Sequence, residues 1–597
     1  MSESISNERL SKRNLWGYSM GGIGRDMAYQ LVNTYLLTFI TFTKGLSNTE
    51  FAMVGVIMVI CRIFDGCNDP FMGSIIEITR TKIGKFKPWI LAGVFTNVAV
   101  IIALFCVPLR GTSYLIFFAF GYLLWGMTYT MNDISYWGML PSLTSNPGDR
   151  NNLTTLANIG AGIGAGLSVL AIPSLTQGNL AIASNASKSY AIVSIIVCIV
   201  FFVCQIMTVF VVKEKPLPKV RVDDGEKRSL KDMFKVIFKN DQLKPVMASM
   251  LLYNIGSCIT MALASYWIYY RFAYQGLLVT LFTVISGVST LVIVFFPMMC
   301  KKHSRRWISK LSMIMIIVGY LLMFVISLTT GINPDADKVG FKIGEVLIPV
   351  TFIFTGLTGT CAFFGQTLFY QVLTISVANT VEYNEYTTGT RDEGVIFACR
   401  PFTAKLGSAA VVGITTLVVL ALGLNPTNKA ISNADYEAGQ LAVQVEQLVK
   451  DETPNFDSLS KEEQTKLIEA KKKSIETENV AKIEDIIHTN EDTKVAKWQY
   501  QTMFAFMTLL PLVILLGSFA IYFKKYNISE ERYDEICAEI AKRKLAAEGN
   551  AEVVLDGADA SELENDIASS DAETPDEIFE QEAAADKISE APDEVEK

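Results

Sequence analysis

The run Arg62-Ile63-Phe64-Asp65-Gly66-Cys67-Asn68-Asp69-Pro70 sits inside an otherwise apolar stretch from Phe51 to Ile76. Asp65 and Asp69 are four residues apart, so a helix puts both carboxylates on one face, one turn apart, with Asn68 beside them. A charged group at the bilayer centre costs about 2.5–3.5 kcal/mol on insertion scales, so two acids in one span need a reason. Their mutual repulsion is relieved by a proton or by a metal cation. Two readings stay open: a monovalent-cation or proton site, or a structural pair neutralised by Arg62 or by basic residues of another helix. Intramembrane acids are functional by default, which favours the first.

Outward from this run, the chain reads as a polytopic membrane protein, with 50 % hydrophobic residues among 597. Twelve candidate spans of near-bilayer length follow at roughly 15–43, 47–76, 89–108, 113–141, 151–176, 189–213, 243–271, 276–299, 309–329, 346–377, 392–423 and 499–524. Lys and Arg crowd alternate connections: Arg80, Lys82, Lys85 and Lys87 after span 2, the stretch 213–241 after span 6, and Lys301, Lys302, Arg305 and Arg306 after span 8. By the positive-inside rule these loops and both termini are cytoplasmic. The long basic loop splits the spans six and six, and the other basic loops occupy matching places in the two halves. The expectation is an all-α membrane protein of the major facilitator fold, twelve transmembrane helices in two six-helix halves, with a site between the halves near the midplane.

The expected organisation runs as follows: a cytoplasmic N-terminus over 1–14, the N-terminal six-helix bundle over 15–213, a cytoplasmic central loop over 214–242 and helices 7–11 over 243–424. An extracytoplasmic insert follows at 425–497, then helix 12 at 498–525 and an acidic, mostly disordered cytoplasmic tail at 526–597. Within the insert, Asp457–Thr489 reads as a charged helix. It either caps the outer vestibule, binds something outside, or is a solvated hairpin. From Ala538 onward the net charge is −14 and the rest of the chain carries +6. The low isoelectric point therefore describes the tail.

The residue inventory excludes several chemistries. The ten cysteines are scattered, mostly in apolar runs, without ligand spacing. The two histidines, His303 and His488, lie in polar stretches. A histidine metal centre, a Ser-His-Asp triad, a nucleotide loop and an HExxH motif are all missing, so an enzyme, a cofactor or a nucleic-acid partner is not expected.

Other spans carry polar residues of interest. In span 1, Arg25 and Asp26 present a donor fork and an acceptor pair that suit vicinal hydroxyls. The alternative is a charge pair near the cytoplasmic end of the span. In span 4, the run Trp125-Gly-Met-Thr-Tyr129-Thr130-Met-Asn132-Asp133-Ile-Ser-Tyr136-Trp137 puts Asp133 one turn from Trp137. A carboxylate beside an indole holds a pyranose well, accepting from hydroxyls while the flat ring covers C–H edges. Buried core aromatics around a hydrogen-bonded acid are the plainer reading. Tyr129 belongs to the same group, and Thr130 offers an oxygen to a hard cation. Lys405 lies deep in span 11 and needs a partner among Asp65, Asp69 and Asp133, either as a reporter of cation occupancy or as a static salt bridge. Gln366, Tyr370 and Gln371 of span 10 face the expected cavity. Gly160-Ala-Gly-Ile-Gly-Ala-Gly166 in span 5 is a small-residue face for close helix packing.

The run Asp65-x-x-Asn68-Asp69-Pro-x-Met-Gly73, continued by Thr79-Arg80-Thr-Lys-Ile-Gly84-Lys85-Phe-Lys87-Pro88-Trp89, resembles the glycoside–pentoside–hexuronide:cation symporters. Trp125 to Asp133, Lys239-Asn-Asp-Gln-Leu243 and Thr380-Val-Glu382-Tyr383 resemble the family as well. The resemblance covers about residues 14–424 and 499–525. It implies coupled uptake of a sugar or glycoside with Na⁺, Li⁺ or H⁺. Position by position, it implies cation binding by Asp65 and Asp69, with Asn68, Thr130 and Asp133 around them. It implies sugar binding at Asp26, Asp133 and Trp137, with Arg25 alongside, and a lysine near both sites at Lys405. Where the melibiose-transporting type of the family has a sugar-contacting arginine in span 5, this chain has Asn158, so no particular sugar is favoured.

The expectation is therefore a symporter of the bacterial inner membrane that binds a small sugar, a monovalent cation and the lipid bilayer. Arg80, Lys85 and Lys87 form part of its inner gate or anchor the positive-inside loop. The insert and the acidic tail have room for partners of their own. Two other functions stay open: the same transport of an organic anion or lipid-like solute, and a membrane sensor signalling through the tail.

Overall fold

The charged stretch that decides the sequence reading lies in the second of a series of long helices. The structure, a computed structural model, describes residues 10–556 apart from 145–146, 214–238, 273, 333–337, 344–345, 391–392 and 455. Most of the central loop and the tail beyond 556 lie outside the described residues.

Local chemistry sets the helix starts. In α1 (Lys12–Thr43) the Ser11 hydroxyl accepts from the Asn14 amide. A capping box opens α2 (Asn48–Ile78): the Glu50 amide donates to Ser47 Oγ and the Ser47 amide to Glu50 Oε2. Then follow α3 (Lys87–Cys106), started by Pro88 in its first turn, α4 (Gly111–Leu143), α5 (Pro147–Thr176) and α6 (Ala186–Val211). The second half has α7 (Leu243–Arg271), α8 (Gly276–Lys302, with a 3₁₀ turn at Ser289–Leu291), α9 (Arg305–Ile332), α10 (Val350–Thr388) and α11 (Glu393–Ala421). After α11 come α12 (Asn425–Val443), α13 (Val445–Glu452), α14 (Lys461–His488) and α15 (Lys497–Lys525).

Among the described residues ten helices are long and apolar enough to cross a membrane, namely α3 to α11 and α15. The remaining two in the expected set, α1 and α2, have 32 and 31 residues and hold Arg25, Asp26, Arg62, Asp65 and Asp69. Charges gathered for a site cost these helices their apolar character.

Three elements differ from expectation. A short antiparallel hairpin, β1 (Gly340–Ile343) with β2 (Val346–Pro349), occupies the start of the tenth expected span, and α10 runs to Thr388. The insert holds α12 and α13 ahead of the expected charged helix. Finally, α16 (Glu530–Asp556) covers part of the segment expected to be mostly disordered. Its Glu, Lys and Ala content favours a helix by intrinsic propensity. From Asp534 the chain belongs to a second unit, helical over its described part.

Within the first half, α1 packs on α5 and α6, α2 on α4, and α3 on α4 and α6. The α1–α5 contact depends on two glycines. A Cβ at Gly160 would stand 2.4 Å from Ser19 O and one at Gly164 2.0 Å from Ile23 O, whereas Gly162 and Gly166 face open space. The small-residue face is thus real, but only its i and i+4 members touch a backbone.

The halves meet along α2–α11, α5–α8 and α1–α7. At the end of the bundle nearest the insert the seam is closed. Thr41 bonds Tyr266 at 3.0 Å, Ser174 bonds Thr280 at 2.8 Å, and the Phe42 ring is surrounded by Tyr266, Tyr269, Tyr270 and Tyr274. At the end nearest the N-terminus, the core cluster around Tyr18, Met72, Ile76, Phe86, Ile90 and Leu143 draws all its buried members from the first half.

Candidate functional site

Between the two ends lies a cavity of about 300 Å³, walled by α1, α2 and α4 of the first half and by Pro401, Ala404 and Lys405 of α11. It is built from two charge clusters on facing helices.

The first cluster is Asp65, Asp69, Thr130 and Lys405. Helical spacing puts both α2 carboxylates on the side turned to α4 and α11. Thr130 Oγ1 donates to Asp65 Oδ1 at 2.6 Å and lies 3.3 Å from Asp69 Oδ1. The Lys405 ammonium lies 2.6 Å from Asp69 Oδ2 and 3.0 Å from Asp65 Oδ2. The pair is therefore neutralised from the opposite half. Arg62, although in the same helix, turns away: its Nε donates to the Tyr122 hydroxyl and its Nη1 to Ser408 Oγ, both at 3.0 Å.

The second cluster is Arg25, Asp26, Asp133 and Trp137. Arg25 is nearly fully buried and donates through Nε to Asp26 Oδ2 at 3.0 Å. Its Nη1 lies 3.1 Å from Asp133 Oδ1. The guanidinium also sits over the Tyr136 and Trp137 rings, 4.6 and 4.8 Å from their centroids. Arg25 and Asp26 thus pair with each other and also line the cavity.

An aromatic wall joins the clusters. Tyr122, Trp125 and Tyr129 stack in sequence along α4, and Tyr29 of α1 lies 5.1 Å from the Tyr129 ring. Sequence reasoning missed Tyr29 and Tyr122 as lining residues. The signal for Tyr122 was present as a 3–4–residue aromatic period ending at Tyr129. Tyr29 had none, because only its helix's rotation shows which face it takes.

The remaining candidates lie elsewhere. Asn158 is exposed on α5 and Asn68 is half-buried, and neither lines the cavity. Gln366 is buried inside the second half, donating to the Tyr320 hydroxyl at 2.7 Å. Gln371 is half-buried on the same helix, outside the lining. Tyr370 accepts from Arg400. Arg80 is exposed and donates to the Thr79 carbonyl, Lys85 sits over the Phe86 ring, and Lys87 Nζ donates to the Val212 carbonyl at 2.6 Å. These three contacts stay within the first half. Among the described residues, no group of three or more His, Cys, Asp and Glu side chains is arranged for a metal ion.

The cavity has near-balanced charge, with three basic and four acidic side chains in and beside it, together with a set of rings. Charge-paired donors and acceptors flanked by aromatic faces can hold a neutral hydroxylated molecule better than a net anion. A polar cavity sunk between two helical halves of a multi-pass bundle is the architecture of the major facilitator fold. Residues 17–442 match the family described as MFS/sugar transport protein, and the chain belongs to it.

Among its relatives are the raffinose carrier protein of Pediococcus pentosaceus, 26 % identical over 71 % of this chain and 64 % of that protein. A lactose permease of Lactobacillus delbrueckii subsp. bulgaricus is 28 % identical over 68 % of this chain and 63 % of the permease. The isoprimeverose transporter of Lactiplantibacillus pentosus is 27 % identical over 68 % of this chain and 80 % of that transporter. The match thus spans less than two thirds of the length of the first two.

Proposed function

We propose that the chain imports a sugar or glycoside by cation-coupled symport with alternating access. The observation that carries this reading is Lys405, whose ammonium bridges Asp65 and Asp69 from the other half, directly beside the Arg25–Asp26–Asp133–Trp137 cluster. A proton, Na⁺ or Li⁺ arriving at the two carboxylates competes with that ammonium. Each outcome of the competition changes the attraction between the halves, so occupancy of the pair biases how they rock. The sugar's hydroxyls pair with Asp26, Asp133 and Arg25, and Trp137 covers its C–H face.

The substrate class rests on the raffinose, lactose and isoprimeverose relatives and on the charge balance of the cavity, which disfavours the organic-anion alternative. The basic connections after α2 and α8 support a reading in which both termini and the Arg80–Lys87 loop are on the cytoplasmic side of the inner membrane, with the insert outside. On this reading the end of the seam closed by Thr41–Tyr266 and Ser174–Thr280 is the outer one.

The test is the thermal stability of the purified full chain in K⁺, Na⁺ and Li⁺, with raffinose, lactose and a panel of glycosides and uronides. A ligand at 100 times its dissociation constant adds about 2.7 kcal/mol. Sugar stabilisation that is larger in Na⁺ than in K⁺ supports sodium symport. Equal stabilisation in every salt points to the proton. No response to any sugar removes the substrate class.

A further inference from the structure

The closed end of the seam is covered by α12, a helix that bonds to both halves. Towards the second half it continues from α11, and the Tyr270 hydroxyl donates to Asn428 Oδ1 at 2.5 Å. Towards the first half, Asn425 Nδ2 donates to Leu46 O at 3.0 Å and to Asn48 Oδ1 at 2.8 Å, in the turn between α1 and α2. Arg110 Nη2, just before α4, donates to Ser432 O and Oγ at 2.9 and 2.8 Å and to Asn433 Oδ1 at 3.0 Å, with its guanidinium over the Tyr436 ring.

Asp435 makes the central contact. It is almost wholly buried, and its two oxygens accept from the first two amides of α6, Ala186 N at 2.5 Å and Ser187 N at 3.1 Å. A carboxylate from another segment thus caps a helix N-terminus, where unpaired amides and the helix dipole favour negative charge. The Asp435 carbonyl accepts from Asn185, and Arg110 and Lys44 supply positive charge nearby. From Asn425 to Tyr436, α12 therefore spans the loops that begin α2, α4 and α6 while anchored on α7 and α11.

The interface borders a cavity of about 290 Å³ lined by Gln177, Ser184, Asp435 and Asn479, polar groups that water can reach. An interface tied by directed polar bonds beside a polar cavity is suited to repeated opening, because water can replace those bonds on separation. A permanently fused one would be expected to be dry and apolar.

We infer that α12 is a clasp across the closed end of the seam, holding the halves together through Asp435, Arg110 and Asn425 and releasing them when that end opens. This rests on the alternating-access reading, but its test does not need a transported sugar.

Hydrogen–deuterium exchange is measured on the full chain in lipid nanodiscs, comparing wild type with Asp435→Ala and, separately, Asn425→Ala. Both variants are expected to exchange faster by about five-fold at residues 38–48 and 264–276, the scale of one lost capping contact. Residues 62–72, beside the cavity, should be unchanged. Asn425→Ala keeps the proposal testable if Asp435→Ala fails to fold. Unchanged protection at 38–48 and 264–276 in a folded variant overturns the clasp, as does faster exchange confined to 425–497. Failure of every sugar to bind would overturn the transport reading and leave the exchange result standing.

Discussion

Lys405 Nζ lies 2.6 Å from Asp69 Oδ2 although the two residues are 336 positions apart and belong to opposite halves of the bundle. One ammonium shared by two carboxylates is a counter-charge that a small cation can replace, which sets what substitutions here should do.

Replacing Lys405 by Ala leaves Asp65 and Asp69 facing each other without their ammonium. Breaking a buried pair from one side costs about 3–5 kcal/mol. Since the group is partly exposed, at 23 % for the Lys405 side chain, a smaller loss is expected. Melting temperature in K⁺ should fall, and Na⁺, Li⁺ or acid should restore part of it. A drop that no cation and no pH change relieves would separate Lys405 from the cation site.

Asp69→Asn removes one of the two carboxylates for which, in the proposed mechanism, the cation competes with Lys405. Cation-stimulated sugar binding should disappear, a coupling typically worth about 1–3 kcal/mol, or about 5–150-fold in affinity. Sugar affinity measured by calorimetry in K⁺ and Na⁺ checks this. Persistence of the wild-type ratio would move the site elsewhere.

Asp26→Ala deletes an acceptor of the proposed sugar cluster while Arg25 retains Asp133 at 3.1 Å. Sugar affinity should fall at least about ten-fold, the scale of one charge-assisted hydrogen bond. Stabilisation by the cation alone should survive, because Asp65, Asp69 and Thr130 are untouched.

Packing makes a sharper forecast on α5. Gly160→Ala and Gly164→Ala drive a methyl into the α1 backbone at Ser19 and Ile23, and each should cost about 1–3 kcal/mol. Gly162→Ala and Gly166→Ala point into open space and should be neutral or mildly stabilising. Equal losses at all four positions in thermal melts would show that the α1–α5 approach is not the determinant.

Folding stability should depend on pH through Asp435. Burial pushes the Asp435 carboxyl up to about 6, against the opposing effects of the Ala186 and Ser187 amides, Arg110 and Lys44. Tyr274, Lys473, Glu476 and Glu484 share its cavity, and Tyr436 lies one residue on. A carboxyl raised in the folded protein contributes stability that is full below its unfolded value of 3.8 and is lost as pH rises through about 6. The melting temperature of wild type relative to Asp435→Asn should therefore rise as pH falls from 7 to 5. A flat difference would mean that the carboxyl does not titrate in that window.

Much of the architecture was readable along the chain. Hydropathy located the long helices, α10 excepted at its C-terminal end, and intramembrane charge singled out α1, α2, α4 and α11 as the helices that line the cavity. The short-range spacing of Asp65 and Asp69, or of Asp133 and Trp137, is a property of any helix. What failed followed from rotation and long-range contact. Gln366 proved to face Tyr320 inside its own half, and Asn158 to face away from the cavity, because hydropathy alone does not fix the azimuth of a helix whose whole circumference is apolar. α12 buries only a thin stripe of Ile431, Ala434, Ala438 and Ala442 among polar residues, too weak a pattern to mark what it packs against.

By itself, then, the sequence determined a multi-pass helical bundle, its two halves, and the residue types gathered at a site, all consequences of local periodicity and of the cost of charge in lipid. Only the tertiary structure decided that Lys405 rather than Arg62 neutralises the α2 carboxylates, that Arg25 binds Asp26 and Asp133 together, and that Asp435 caps α6 across 249 positions. Each of those choices is made between groups distant in sequence. It depends on which helix faces which once the apolar surfaces have packed, information that no local pattern contains.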